Sequence, residues 1–155
     1  REAVAKSAAS KRNVTYLGSI PEPDQLAEVY RNSHVLLLPS QKNSRWEETF
    51  GMVLIEGLAC GTIFMATNHV GPCELREICR VGYLWEEDEF VEKAADTLGE
   101  LYTNRERLYQ QQRQAVVASQ NFNLASIAAR WDKILADSLA CAGSPTFPEG
   151  EANLS

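Results

Sequence analysis

Two carboxylates, Glu48 and Glu56, frame a glycine turn and lead into a stretch with almost no other polarity. From Gly51 to Cys60 the only polar side chain is Glu56. A helix that apolar is normally buried, and a buried carboxylate is costly unless donors satisfy it. Glu56 is therefore expected to meet hydroxyl or N–H groups. Gly51 lets a ligand approach the backbone closely. Amides of the first helical turn, near Phe50, Gly51 and Met52, combine with the helix dipole into an anion site. Glu56 lies roughly 7 to 8 Å further along the axis, which suits a polyhydroxyl group beside the helix. Glu48, ahead of the turn, can hold a second such group. Phosphate flanked by two carboxylate-bound sugars is the pattern of a nucleotide sugar. Taken singly, each residue has a plainer reading. Glu48 is an acid near a helix start, Glu56 a partner for a buried arginine, and Phe50 a core side chain. The combination is more specific than any member.

The surrounding pattern places these residues on an α/β scaffold. Arg1 to Lys11 reads as the tail of a helix, and Val14 to Gly18 as a strand stopped by glycine. Asp24 opens a helix with Leu26, Val29 and Tyr30 as its apolar positions. His34 to Leu38 is a short apolar run ended by Pro39, suited to a strand covered on both faces of a parallel sheet. Gln41 to Glu47 is a polar loop, Gly51 to Cys60 the helix, and Gly61 its terminator. Ile63 to Ala66 is a second buried strand, followed by a loop through Gly71 and Pro72 and a short helix from Glu74 to Cys79. Gly82 to Trp85 is the last strand. Helices over Asp88 to Tyr102, Asn104 to Ser119 and from Asn123 close the domain. The last is expected to turn Leu124, Ile127, Ala128, Trp131, Ile134 and Leu135 inward.

Strands alternating with helices at this spacing indicate a Rossmann-like parallel sheet with helices on both faces. In such sheets ligands bind beyond the carboxyl ends of the strands, where the loop from Ser40 to Gly51 falls. The chain begins within a helix, so the first strands of the domain are expected upstream. Residues 1–140 form the domain, and 141–155, without periodicity, a disordered tail.

The 155 residues suffice for one buried core, and 45% apolar with 23% charged is an ordinary globular composition. The net charge of −6, with scattered Lys and Arg, argues against a nucleic-acid surface. No apolar run approaches a membrane span, and no signal-peptide pattern opens the chain. Cys60, Cys73, Cys79 and Cys141 fit neither a CxxC pair nor a common zinc spacing. They read as reduced packing residues of a cytoplasmic protein. Asn13-Val14-Thr15 matches a glycosylation acceptor that carries no weight without a secretion signal. Lys42 and Arg45 read as solvated loop charges, and His69 as an exposed loop histidine rather than a catalytic one.

The Glu-x7-Glu spacing with Phe-Gly after the first acid resembles the retaining glycosyltransferases of the GT-B fold, in the large family 4 (group 1) clan. Val14-Thr15-Tyr16-Leu17-Gly18 is similar to that family's strand before the base-binding loop. His34 to Ser40 resembles its strand ending in Pro-Ser. Ala59-Cys60-Gly61-Thr62 with Ala66-Thr67 resembles the following turn and strand. Gly71-Pro72-Cys73-Glu74 resembles its Gly-Gly-x-x-Glu-like loop, with proline at the second glycine. The likeness runs over residues 13–138.

The resemblance implies the C-terminal, donor-binding half of a GT-B fold. Glu56 would bind the ribose hydroxyls of the donor, and Glu48 the hydroxyls of the transferred sugar. Amides at Phe50, Gly51 and Met52 would hold sugar and diphosphate, and Gly18, Ser19 and Ile20 would border the base. The reaction would be retaining transfer from a nucleotide sugar to an acceptor hydroxyl, with no metal or cofactor. The family's Arg and Lys for the diphosphate, and its acceptor-binding N-terminal domain, would lie upstream. A sugar-nucleotide epimerase and a non-catalytic binding module of the same fold are the competing readings.

Overall fold

The computed structural model describes residues 2–141, and the expected tail lies outside the described residues apart from Cys141, which ends a helix. The chain divides into two compact units, one ending at Ser119 and one beginning at Gln120. The first unit carries three parallel strands, β1 (Val35–Leu38), β2 (Ile63–Thr67) and β3 (Tyr83–Trp85), in the order β1-β2-β3. Leu38 stands beside Ala66, and Thr67 beside Trp85.

Among the described residues six helices belong to this unit: α1 (Glu2–Ala9), α2 (Pro23–Arg31), α3 (Met52–Ala59), α4 (Val70–Cys79), α5 (Phe90–Thr103) and α6 (Arg105–Ser119). Central strand β2 is buried at every position, so both of its faces are covered. Ile63, Phe64, Met65 and Ala66 are wholly inaccessible, as are Leu54 and Leu58 of α3. Helix α3 packs on α2, α6 and β2, while α5 lies against β2 and β3. Thr62 binds two of these layers together. Its buried hydroxyl donates to the Tyr30 carbonyl at 2.6 Å, tying the end of α2 to the start of β2.

Four expectations are corrected. Val14 to Gly18 forms no ladder among the described residues, and Val14, Tyr16 and Leu17 stay exposed. A β-propensity run becomes a strand only when a neighbour accepts its hydrogen bonds. The His34–Leu38 run is covered less completely than its composition suggests. As an edge strand, β1 leaves Leu37 45% exposed. The α4 helix begins at Val70 instead of Glu74, taking Gly71 and Pro72 into its first turn. There proline costs nothing, because first-turn amides have no helical acceptor. In the second unit, a 3-10 turn (Gln120–Phe122) leads into α7 (Leu124–Cys141). The apolar stripe of α7 is exposed and not inward: Leu124, Ile127, Trp131, Ile134 and Leu135 are all solvent-accessible, as is Ala128. Periodicity establishes that a stripe exists, not what covers it.

Cys60, Cys73 and Cys79 are free thiols, as expected. Among the described residues, no helix is long and apolar enough to cross a membrane.

Replacing Thr62 by Val keeps the shape and removes the hydroxyl. The expected loss is about 1–2 kcal/mol, because the Tyr30 carbonyl keeps only the Ser33 amide of its two donors, and the urea midpoint should fall while the slope stays unchanged.

Candidate functional site

The carboxyl edge of the sheet is built by three loops, and the Glu48 turn lies among them. β1 delivers the chain into residues 39–51. Asn43 and Trp46 exchange backbone hydrogen bonds at 3.0 and 3.4 Å, and the Asn43 side chain accepts from the Arg45 amide, closing a small turn. Thr67, at the end of β2, donates its hydroxyl to the Ser40 carbonyl at 2.9 Å. Lys42 pairs with Glu47, whose carboxyl is held below its ordinary range chiefly by that lysine.

Glu48 folds back onto its own turn. Its Oε1 accepts from the amides of Gly51 at 2.9 Å and Phe50 at 3.3 Å. Gly51 takes the left-handed conformation, with φ of 62°, as the residue that starts α3. Glycine has no side chain to cap the helix, and the carboxylate of Glu48, three residues earlier, instead binds the amides that lead into it. The Glu48 carbonyl accepts from the Gly71 amide at 3.1 Å. Gly71 approaches so closely that a Cβ there would stand 2.5 Å from the Phe50 nitrogen. Glycine at 71 is thus the condition for α4 to abut the turn.

Glu56 sits on the side of α3 turned to α2. Contrary to expectation it is exposed, and the one hydrogen bond of its carboxylate among the described residues is with Tyr30, whose phenol donates to Oε2 at 3.2 Å. Among the described residues no arginine reaches it. Burial, followed by the nearby carboxylate, pushes the Tyr30 phenol up to about 12. Pro23, Leu26, Ala27, Tyr30, Glu56 and Cys60 line a cavity of ≈ 260 Å³ between the two helices. It is a greasy groove with one carboxylate on its rim. Such a surface accepts a flat apolar group and hydroxyls together.

The structure gathers Glu48, Phe50, Gly51 and Met52 into one turn and sets Glu56 one and a half turns into the same helix. Gly18, Ser19 and Ile20 precede α2, with Gly18 at φ of 72°. No hydrogen bond among the described residues joins them to Glu48 or Glu56. The Phe50 side chain is 74% exposed, not core. The amides of Phe50 and Gly51, expected to be open, are taken by Glu48. Two residues emerge that the pattern hid. Tyr30 reads as one more apolar position of α2, yet its hydroxyl orients Glu56. His69, expected to be exposed, is 3% accessible and hydrogen-bonds at both ring nitrogens.

Residues 2–117 match the family described as "Glycosyl transferases group 1". A D-inositol 3-phosphate glycosyltransferase of Nocardia farcinica is 33% identical over 82% of this chain and 26% of its own length. An N-acetyl-alpha-D-glucosaminyl L-malate synthase of Bacillus anthracis is 32% identical over 77% of this chain and 32% of its own. A sucrose-phosphate synthase structure from Thermosynechococcus elongatus superposes with a TM-score of 0.69 at 23% identity, covering 90% of this chain and 34% of that one. The chain thus spans about a third or less of the length of these relatives.

Two outcomes follow from the geometry. In a spectrophotometric titration, the difference between the native protein and Tyr30→Phe should show one phenol ionising near pH 12 and not near 10. The fold favours the neutral phenol, so this contribution to stability is complete below pH 10 and is lost as pH rises toward 12. Gly71→Ala should displace the amide resonances of Glu48 to Gly51 and cost about 1–3 kcal/mol in urea unfolding, the range of overpacking.

Proposed function

Since the chain belongs to the group 1 glycosyl transferases, we propose that it is the nucleotide-sugar-binding part of a retaining glycosyltransferase with the GT-B fold. The single observation that carries this reading is the setting of Glu56. A carboxylate on an otherwise apolar helix turns to an apolar groove, is steered by the Tyr30 phenol, and is not neutralised by any arginine among the described residues. An ionised carboxylate accepts about four hydrogen bonds. Glu56 therefore has capacity left for the two vicinal hydroxyls of a ribose. The groove beside it gives a nucleoside apolar contact, and Gly18, Ser19 and Ile20 border the base.

Glu48 contacts the transferred sugar. Its Oε1 is engaged by the turn, which leaves Oε2 to accept a sugar hydroxyl. The diphosphate docks at the start of α3. Met52 offers an amide there for which no side chain competes, and the diphosphate reaches the Phe50 and Gly51 amides by exchanging with Oε1. In the transfer, the bond from the anomeric carbon to the diphosphate oxygen breaks, and a bond to the acceptor oxygen forms. The acceptor hydroxyl loses its proton. Negative charge grows on the leaving diphosphate, where preorganised amides and a helix N-terminus favour it. A carboxylate beside the sugar favours the positive charge developing there. The acceptor and its binding domain lie outside this chain, and the free thiols fit a cytoplasmic setting.

Titrating the labelled chain with UDP, GDP and ADP should shift amides between 48 and 56 for at least one nucleotide. Glu56→Gln should weaken that nucleotide about tenfold, the expected loss of a charged acceptor from ribose hydroxyls. Silence across 48–56 for all three would remove the donor-site assignment.

A further inference from the structure

The strap behind the Glu48 turn is a histidine. His69 precedes α4 and is 3% accessible, and both of its ring nitrogens have protein partners. Its Nδ1 lies 3.4 Å from the Glu48 amide nitrogen, and its Nε2 lies 3.0 Å from Oε1 of Glu87. An amide can only donate, so Nδ1 must be the acceptor and carry no proton. The neutral ring then holds its proton on Nε2 and donates it to the Glu87 carboxylate. Glu87 Oε1 also accepts from the Lys42 amide at 2.7 Å. One imidazole and one carboxylate thereby join the three loops of the sheet edge, at residues 42–48, 69 and 87. Glu48 N–H is the amide of the very residue whose side chain caps the turn into α3.

We propose that His69, as the Nε2–H tautomer fixed by Glu87, is the positioning residue that sets the Glu48–Gly51 turn for the donor. This inference rests on the assignment of that turn to the donor site. His69 touches neither sugar nor phosphate. It acts by giving the Glu48 amide an acceptor, so that the carboxylate of Glu48 and the amides that follow hold one register. The same logic governs ligand-holding histidines elsewhere, where the partner of one ring nitrogen decides what the other can do.

Two substitutions separate the two ring nitrogens. In His69→Asn the amide oxygen stands close to the place of Nδ1 and can accept from Glu48. In His69→Gln the longer side chain reaches toward Glu87 and leaves the Glu48 amide without an acceptor. Long-range proton–nitrogen spectra of the native chain should show Nε2 protonated and Nδ1 bare. Amide resonances of 48–51 should stay in place in His69→Asn and move in His69→Gln. For whichever of UDP, GDP and ADP the native chain binds, affinity should hold within about twofold in His69→Asn and fall about fivefold to tenfold in His69→Gln. A proton on Nδ1 in the native ring overturns the proposal, as do equal responses of the two variants. Failure of all three nucleotides to bind the native chain counts against the donor-site reading alone. The ring tautomer and the positions of the 48–51 amides still decide the role of His69.

Discussion

The close approach of Gly71 to the Thr49–Phe50 peptide is the contact on which the rest of the site depends. Nothing larger than a hydrogen fits there. Because α4 can come that near, its first turn donates to the Glu48 carbonyl, and His69 just ahead of it reaches the Glu48 amide. Both backbone polar groups of Glu48 are thus bound by the segment after β2, the amide by His69 and the carbonyl by the first turn of α4. Its side chain binds the two amides that follow. A residue held at carbonyl, amide and carboxylate has little freedom left, and the start of α3 inherits that definition. Only the Glu48 carboxylate has to give way for another anion to reach those amides.

The fold supplies the rigid backing. β2 is buried at all five positions, and the residues at its end, Thr67 and His69, face the loops they organise. Leu54 and Leu58 anchor α3 with no accessible surface, while Met52 and Glu56 on its other side stay open. The same eight-residue helix is therefore core on one face and binding surface on the other. That division explains an apparent conflict in its composition. An apolar helix with one acid looks like a helix buried all round, yet the acid lies where the burial stops.

Much of the architecture was legible because it follows from local chemistry. Apolar runs set off by Pro39, Gly61 and Gly82 marked β1, β2 and β3, and Phe90, Ala94, Leu98 and Leu101 at helical spacing marked α5. Pairing could not be read in this way. Val14 to Gly18 has strand composition but no ladder, and α7 has an apolar stripe that stays exposed. Both depend on a neighbour, and a neighbour is not a property of the segment. Pro72 misled in the opposite sense. It reads as a loop residue, yet in the first turn of α4 it interrupts no hydrogen bond.

The carboxylate pair, the glycine between them and the helix they open were determined by sequence alone, because spacing along one short segment fixes their relative placement. What only tertiary structure decided is who else attends. Tyr30 is 26 residues from Glu56, His69 is 21 from Glu48, and Glu87 is 18 from His69. Tyr30 meets Glu56 because α2 packs on α3, and the two His69 pairs meet because parallel strands bring successive loops to the same edge of the sheet. A hydroxyl on an apolar stripe and an imidazole in a loop carry no local signal of their partners. Their roles exist only once the chain has crossed from one strand to the next.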